Sequence, residues 1–410
     1  MSACRVSASW VLRIDGAPIR DGAVLVDHDG RIVLIGPADA VPSPPGIAAH
    51  HFEGAALLPG LVNTHTHLEL TGLAGQVDDD DFPSWIRHLR ARKAERSRGE
   101  VRAAAEQGVR DGFAAGITTV ADTGDSGLVI EALATQGGSG VCYQEVFGPD
   151  PAQCAASIAG LGAVLDDLEQ FRSVRRRLGV SPHSPYTVSG ALYQATMALA
   201  AERRLPVAGH VAESASESAL LETATGPFAE QWIARGIPLP AMPGRSPVTW
   251  LDRHGVLTPR TLCIHAVRVN VEDIARLALS GAAVAVCPRS NRRHGHGDAP
   301  LSALLAAGVR VGLGTDSVVS VGNLDLFAEA RLAREIGGIN ADRALALVTL
   351  DAARAIGLAD EVGHLGRGCW GDMTVVRVGA TESPVETVLA GGLDSVVATF
   401  VAGREVFRAT

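Results

Sequence analysis

Seven side chains stand out for the chemistry their types permit: His65 and His67 in LVNTHTHLEL, His183 in SPHSPY, His210 and Glu213 in GHVAE, His265 in CIHAV and Asp316 in GTDS. Residues two apart on a strand share a face, so His65 and His67 point the same way. Alone, a His-x-His pair is weak evidence, but each of the other groups also closes a short apolar run. A divalent metal that keeps one position open for water takes three or four N and O ligands. His65, His67, His210 and Asp316 supply three imidazoles and one carboxylate from three such runs. Bound water there has its pKa lowered from about 15.7 to about 7.

Glu213 follows His210 by three residues and faces away in an ideal strand. A turn beginning at Ala212 swings it over the metal, where it serves as general acid and base between water and a ring nitrogen. The competing reading is a surface carboxylate that starts the next helix. His265 is read as orienting the water or the leaving group, and Asp316 as accepting a proton while holding the metal. His183, flanked by Pro182 and Pro185, is read as a substrate contact.

These groups converge only if the runs that carry them end together. The runs are read as strands over 56–63, 116–122, 140–148, 177–184, 206–213, 261–267, 282–290 and 310–317, each followed by a segment of helical period. Eight strand–helix units predict a TIM-like (β/α)8 barrel, whose chemistry sits at the C-terminal rim of the strands. Residues 1–56 and 362–410 alternate apolar and polar residues between glycine and aspartate turns. They predict a small composite β-sandwich domain from both ends of the chain, around a catalytic barrel spanning 57–361.

Of 410 residues, 47% are hydrophobic and 20% charged, with a net charge of −9, so a large core and a folded chain are expected. The acidic balance argues against a nucleic-acid polymer as partner. The start of the chain lacks the apolar core of a signal peptide, and no run reaches the ~18 apolar residues of a membrane span, which predicts a cytoplasmic protein. Six scattered cysteines without a CxxC pair read as buried free thiols. Residues 77–100 interrupt the barrel rhythm: the acid run reads as a solvated loop, while Phe82 and Trp85 before an amphipathic helix leave lid and simple packing open. Arg292–Gly297, RRHGHG, reads as a mobile solvent loop rather than a second metal site built from His294 and His296.

The motifs PGLVNTHTHLE, SPHSPYTVS, GHVAES, CIHAV, CPRSN and VGLGTDS over 57–317 resemble the amidohydrolase superfamily, and within it the cytosine deaminase/chlorohydrolase-like aminohydrolases. The resemblance implies a distorted barrel with one catalytic divalent metal ion, zinc ahead of iron. It also implies His65, His67, His210 and Asp316 as ligands, Glu213 as proton shuttle and His265 as the orienting histidine. Lys93, the sole lysine, follows the first barrel strand and does not match the bridging lysine of binuclear members. HTHLELTGL, FPSWIRHL, YQEVFG and CPRSN are most similar to the aminodeoxyfutalosine deaminase group of the menaquinone pathway. That similarity implies a small-molecule 6-aminopurine nucleoside joined to a benzoate. The substrate pocket is then expected to use His183, Trp85, Glu145 and an arginine facing the carboxylate, Arg289 first and Arg87 second. Glu69 either lines this pocket or begins a loop. The alternatives are deamination of adenosine, methylthioadenosine, S-adenosylhomocysteine, guanine or another heterocycle, or metal binding without catalysis. A homodimer is compatible with the sequence.

Overall fold

The computed structural model describes residues 3–79, 81–240 and 245–410. Among these residues fifteen strands follow one another: β1 (Cys4–Val11), β2 (Ile19–Val26), β3 (Ile32–Pro37), β4 (Ala48–Pro59), β5 (Leu61–Thr66), β6 (Ile117–Gly124), β7 (Ser139–Val146), β8 (Arg176–Pro182), β9 (Val207–Val211), β10 (Thr261–His265), β11 (Ala283–Val286), β12 (Arg310–Leu313), β13 (Met373–Arg377), β14 (Val396–Val401) and β15 (Arg404–Arg408). Strands β5 to β12 lie side by side in chain order as one parallel sheet that curls into a nearly closed barrel. Helices on the outside and side chains within bury both faces, so β11, AVAV, is apolar at every position.

The ends of that sheet meet across β5 and β12 without a regular ladder. Leu313 N–H donates to Leu347 O and Val62 N–H to Val348 O, both at 2.9 Å, so the segment Leu347–Val348 satisfies backbone groups at the seam. Beyond the strands, Asp316 N–H donates to His65 O at 3.0 Å. Two glycines of VGLGTDS permit this approach: a Cβ on Gly312 would stand 2.4 Å from Thr64 Cγ2, and one on Gly314 would stand 2.6 Å from His65 N. The small-residue run thus sets how closely Asp316 approaches the His65 strand.

The remaining strands form a seven-stranded sheet in the order β15-β14-β13-β4-β1-β2-β3, drawn from both ends of the chain. All its pairings are antiparallel except β1 with β4. Val6, Val24, Leu57, Met373, Val375 and Phe400 form its buried core.

One expected strand is corrected. Residues 56–63 are not a single barrel strand: Ala56–Pro59 close β4, with Leu57 opposite Val375 and Pro59 opposite Met373, and the barrel begins at Leu61. Apolar patterning cannot separate two buried strands joined by one residue. Gly60 makes the junction, since a Cβ there would lie 2.1 Å from Thr118 Oγ1. Five of the six cysteines are buried and all are free thiols. Among the described residues no helix is long and apolar enough to cross a membrane. Asp80, part of the expected acidic loop, lies outside the described residues.

Candidate active site

Three strand ends carry the same backbone signature. Ala212 after β9, His265 and Ala266 at β10, and Asp316 after β12 have φ of 53°, 75°, 46° and 60°. Such left-handed conformations cost a non-glycine residue about 1–3 kcal/mol each and persist only where the surroundings hold them. At Ala212 the holder is Glu217, whose buried carboxylate accepts the N–H of Ala212 at 2.9 Å and of Glu213 at 2.8 Å. Ala266 N–H donates to Val211 O at 3.1 Å, and Asp316 is tied to His65 as described. The reversal at Ala212 turns Glu213 into the cavity above the barrel.

There the structure brings His65, His67, His210, His265, Glu213 and Asp316 together. His65 lies at the centre, with ring centroids 4.7 Å from His67, 4.9 Å from His210 and 5.7 Å from His265. Asp316 Oδ1 stands 3.5 Å from Nε2 of both His65 and His67. His210 Nδ1 contacts His183 O at 3.1 Å, which fixes the ring and leaves Nε2 for the cluster. His67 Nδ1 is likewise engaged by Thr123 Oγ1 at 3.3 Å. Ser290 Oγ donates to Asp316 Oδ2 at 2.5 Å, and His265 Nδ1 contacts Asn291 Oδ1 at 2.9 Å.

Both ring nitrogens of His65 are fully buried without a hydrogen-bond partner among the described residues. Buried polar atoms are normally satisfied. The orphaned imidazole of His65 belongs to two groups whose ligand atoms lie mutually within 4.8 Å, one with His67 and Asp316 and one with His210 and His265, an arrangement of N and O donors that fits a divalent cation. The electrostatics agree. Burial pushes His67 down to about 4, helped by the neighbouring His65, and pushes His183 down to about 3 and His210 well below its ordinary value. The rings are therefore neutral at pH 7, the form that ligates. Burial pushes the Glu213 carboxyl up, but His265 and His296 outweigh it and hold the group at about 2, ionised. Each of those two rings places Nε2 3.5 Å from Glu213 Oε1.

The cavity over this cluster has a volume of about 250 Å³. The helix Phe82–Ala94 forms one wall with Phe82, Trp85, Ile86, Leu89, Arg90 and Lys93, and Phe147, Tyr186 and His183 form the other. The segment left open between lid and packing does both, because Phe82 and Trp85 are buried against His294 and His296 while facing the cavity. Glu145 also lines it. Its Oε1 lacks a hydrogen-bond partner among the described residues, and burial, partly offset by Lys93, pushes its carboxyl up to about 8.

Several expected positions are corrected. Arg289 does not line the cavity: its guanidinium donates to Val321 O at 2.8 Å and Asn323 Oδ1 at 3.0 Å. Arg87 points to solvent and donates to Ser84 Oγ at 2.8 Å. On that helix Arg90 and Lys93, three and six residues later, face the cavity. Glu69 neither lines the cavity nor begins a solvent loop: at 1% exposure it is paired with Lys93 and accepts Ser126 N–H at 3.2 Å. Lys93 also meets Asp125 at 2.5 Å. RRHGHG is not a mobile solvent loop, since His294 Nε2 contacts Ser320 Oγ at 3.1 Å and His296 packs on Phe82 beside Glu213. No metal-competent group among the described residues includes His294 or His296.

Sequence reasoning missed Arg90, Lys93, Asp125, Phe147, Tyr186 and His296. The helical period of IRHLRARK could have placed Ile86, Leu89, Arg90 and Lys93 on one face; nothing local marks His296 or Asp125.

Comparison with known proteins accords with this geometry. The amidohydrolase family model matches residues 56–406. A 5-methylthioadenosine/S-adenosylhomocysteine deaminase of Nitratidesulfovibrio vulgaris is 33% identical over 384 residues, 88% of this chain and 80% of that protein. An aminodeoxyfutalosine deaminase of Deinococcus radiodurans is 36% identical over 308 residues, 70% of each. Among solved structures, an adenosine deaminase from Xanthomonas campestris with bound zinc superposes with a TM-score of 0.83 at 25% identity, covering 98% of this chain and 92% of that one. Helicobacter pylori aminofutalosine deaminase shares the fold, with a TM-score of 0.83 at 21% identity over 99% and 100% of the two chains. The chain belongs to the amidohydrolase family.

Proposed function

We propose that this chain is a mononuclear, metal-dependent hydrolytic deaminase of a 6-aminopurine nucleoside, with aminodeoxyfutalosine as its preferred substrate. The relatives named as deaminases of methylthioadenosine, S-adenosylhomocysteine and aminodeoxyfutalosine support the class. The observation that carries the reading is Glu213, ionised inside the cavity, beside the His65 cluster and between two imidazoles. His65, His67, His210 and Asp316 would hold the ion, zinc before iron. When bound, a divalent cation of this kind supplies an acidified water at neutral pH.

The residues of the chain do the proton work. Water adds to C6 of the purine, Glu213 accepts one of its protons and delivers it to N1, and the C6–N bond breaks. One water is consumed and one ammonia leaves, turning the amidine into a carbonyl. His265, fixed through Nδ1 by Asn291, aims Nε2 at Glu213 and the incoming water. Asp316, oriented by Ser290, takes the second proton of the water and passes it on to the amino nitrogen, which leaves C6 as ammonia while the carbonyl forms. Glu145, neutral below about 8, presents a hydrogen-bond donor to the nucleoside.

The preference for a benzoate-bearing nucleoside rests on the cavity wall. Phe82, Trp85, Leu89 and Phe147 offer aromatic and apolar surface, and Arg90, which has no carboxylate partner among the described residues, offers positive charge for a carboxylate. A second reading, S-adenosylhomocysteine, is favoured by Asp125: it stands beside Lys93 in the same wall, and a zwitterionic end needs charges of both signs.

Two measurements test this. Glu213→Gln is expected to lower kcat by about 10²- to 10⁴-fold while the metal stays bound; a near-normal rate would refute the mechanism. Ammonia release from aminodeoxyfutalosine, methylthioadenosine, S-adenosylhomocysteine and adenosine ranks the substrates, and no release from any of them would refute the substrate class.

A further inference from the structure

The opposite end of the barrel also holds a cavity, of about 300 Å³, which the chemistry above does not use. It opens where β8, β10 and β12 begin, and its rim carries Arg172, Arg177, Arg204, Arg260 and Arg310. Five arginines around one opening are unexpected in a chain of net charge −9. Two are neutralised, Arg172 by Glu169 and Arg177 by Glu361. Among the described residues the other three have no carboxylate partner: the guanidinium groups of Arg260 and Arg310 meet only backbone oxygens, and that of Arg204 is exposed. Arg260 donates to Arg204 O. Arg310 donates to Arg354 O at 3.1 Å, Pro259 O at 2.7 Å and Gly281 O at 2.5 Å. Carbonyl dipoles fix the Arg260 and Arg310 guanidinium groups without cancelling their charge. A guanidinium has five N–H donors, so Arg310 keeps its Nε–H and one Nη1–H free.

Under this rim the floor is apolar and deep. Val141, Tyr143, Leu178 and Leu262 are buried at 1–2% exposure. The Tyr143 ring occupies space that a Cβ at Gly179 would take, at 2.4 Å from Cδ1. Two preoriented forks, Arg260 and Arg310, and a third uncompensated arginine, Arg204, above an apolar floor match a ligand with two adjacent phosphates and an apolar-faced planar body. A cavity of this size lies at the small end of ligand pockets, about 300–1,000 Å³. We infer that the N-terminal mouth of the barrel is a second binding site, for a diphosphate-bearing small molecule of the nucleoside diphosphate class. The site lies across the barrel from the His65 cluster and does not depend on which nucleoside is deaminated.

The probes are inorganic pyrophosphate and uridine diphosphate, whose base carries no 6-aminopurine, titrated calorimetrically into the metal-loaded protein at low ionic strength. Saturable binding with one site per chain is expected. Arg204→Gln and Arg260→Gln, both exposed and outside the catalytic cavity, are each expected to weaken it at least tenfold while kcat/KM for deamination is unchanged, which also reports that they fold. Raising the salt to physiological strength should weaken binding further. Absence of saturable binding at millimolar probe, unchanged affinity in both variants, or displacement of the probe by the deamination substrate would each overturn the assignment.

Discussion

Gly314→Ala tests whether the barrel seam positions the candidate metal cluster. A Cβ at this position would lie 2.6 Å from His65 N, 2.7 Å from His65 Cβ and 2.8 Å from His65 O. Ordinary carbon contacts begin near about 3.5 Å, so β5 and β12 must separate by roughly 0.9 Å. Every clashing atom belongs to the His65 backbone or its first side-chain atom, and none can swing aside. Overpacking of this kind costs about 1–3 kcal/mol. Separation also stretches the Asp316 N–H to His65 O bond, now 3.0 Å, which places the expected loss at about 3 kcal/mol, or roughly 3–4 °C in Tm for a chain of 410 residues. Asp316 and His65 ought to face the same ion, so the variant should also purify with less than half the parent's metal and regain it with weaker affinity. Thermal unfolding and metal content by atomic absorption read both effects. Gly295→Ala is the control: its Cβ meets open space, and only its φ of +67° is penalised, at about 1–2 kcal/mol, with full metal content. A Gly314→Ala protein with the parent's Tm and metal content would refute the claim that the close seam sets the cluster.

Glu217→Gln should keep the fold but loosen the turn at Ala212, because one of two buried N–H groups loses its acceptor at a cost of about 1–3 kcal/mol; kcat should fall further than substrate affinity, and an unchanged kcat would show that the turn does not aim Glu213. Lys93→Met leaves Glu69, 1% exposed, without its cation, so a loss of about 3 kcal/mol in urea unfolding is expected, and a loss below about 0.5 kcal/mol would contradict the pairing. Burial, only partly offset by the Arg289 N–H, pushes the Glu329 carboxyl up to about 8. The folded protein therefore holds a proton that the unfolded chain releases near its ordinary value. The resulting stability is fully present below about 4.5 and is lost as pH rises through about 8, by up to about 1.4 kcal/mol per pH unit. Glu329→Gln should flatten that part of the stability–pH curve, and identical slopes for parent and variant would contradict the assignment.

Much of the candidate site was legible in the sequence because its groups close apolar strands, and in a barrel all strand ends of one polarity meet on one rim. His65 and His67 share a face by the two-residue period, and Asp316 follows small residues that bring its strand against theirs. The turn at Ala212 was legible as a need, since Glu213 three residues after His210 faces away unless the chain reverses. What holds that turn, Glu217, carries no local mark: a glutamate at the start of a helix looks solvated until its burial is known. The same applies to Glu69, Arg289 and His296, whose partners lie 24, 32 to 40 and 83 residues away in the chain.

The strand–helix rhythm, the terminal sheet and the residue types at the rim follow from local sequence, because periodicity and turn chemistry act over a few residues. Which cations face the cavity, how RRHGHG packs behind Phe82 and Trp85, and the opening of a second, arginine-rimmed cavity at the far end emerge only in the folded chain. Those outcomes depend on which way a helix face is rotated and on contacts between segments far apart in the chain. Such contacts are fixed by packing and charge pairing across the whole fold, which no local pattern encodes.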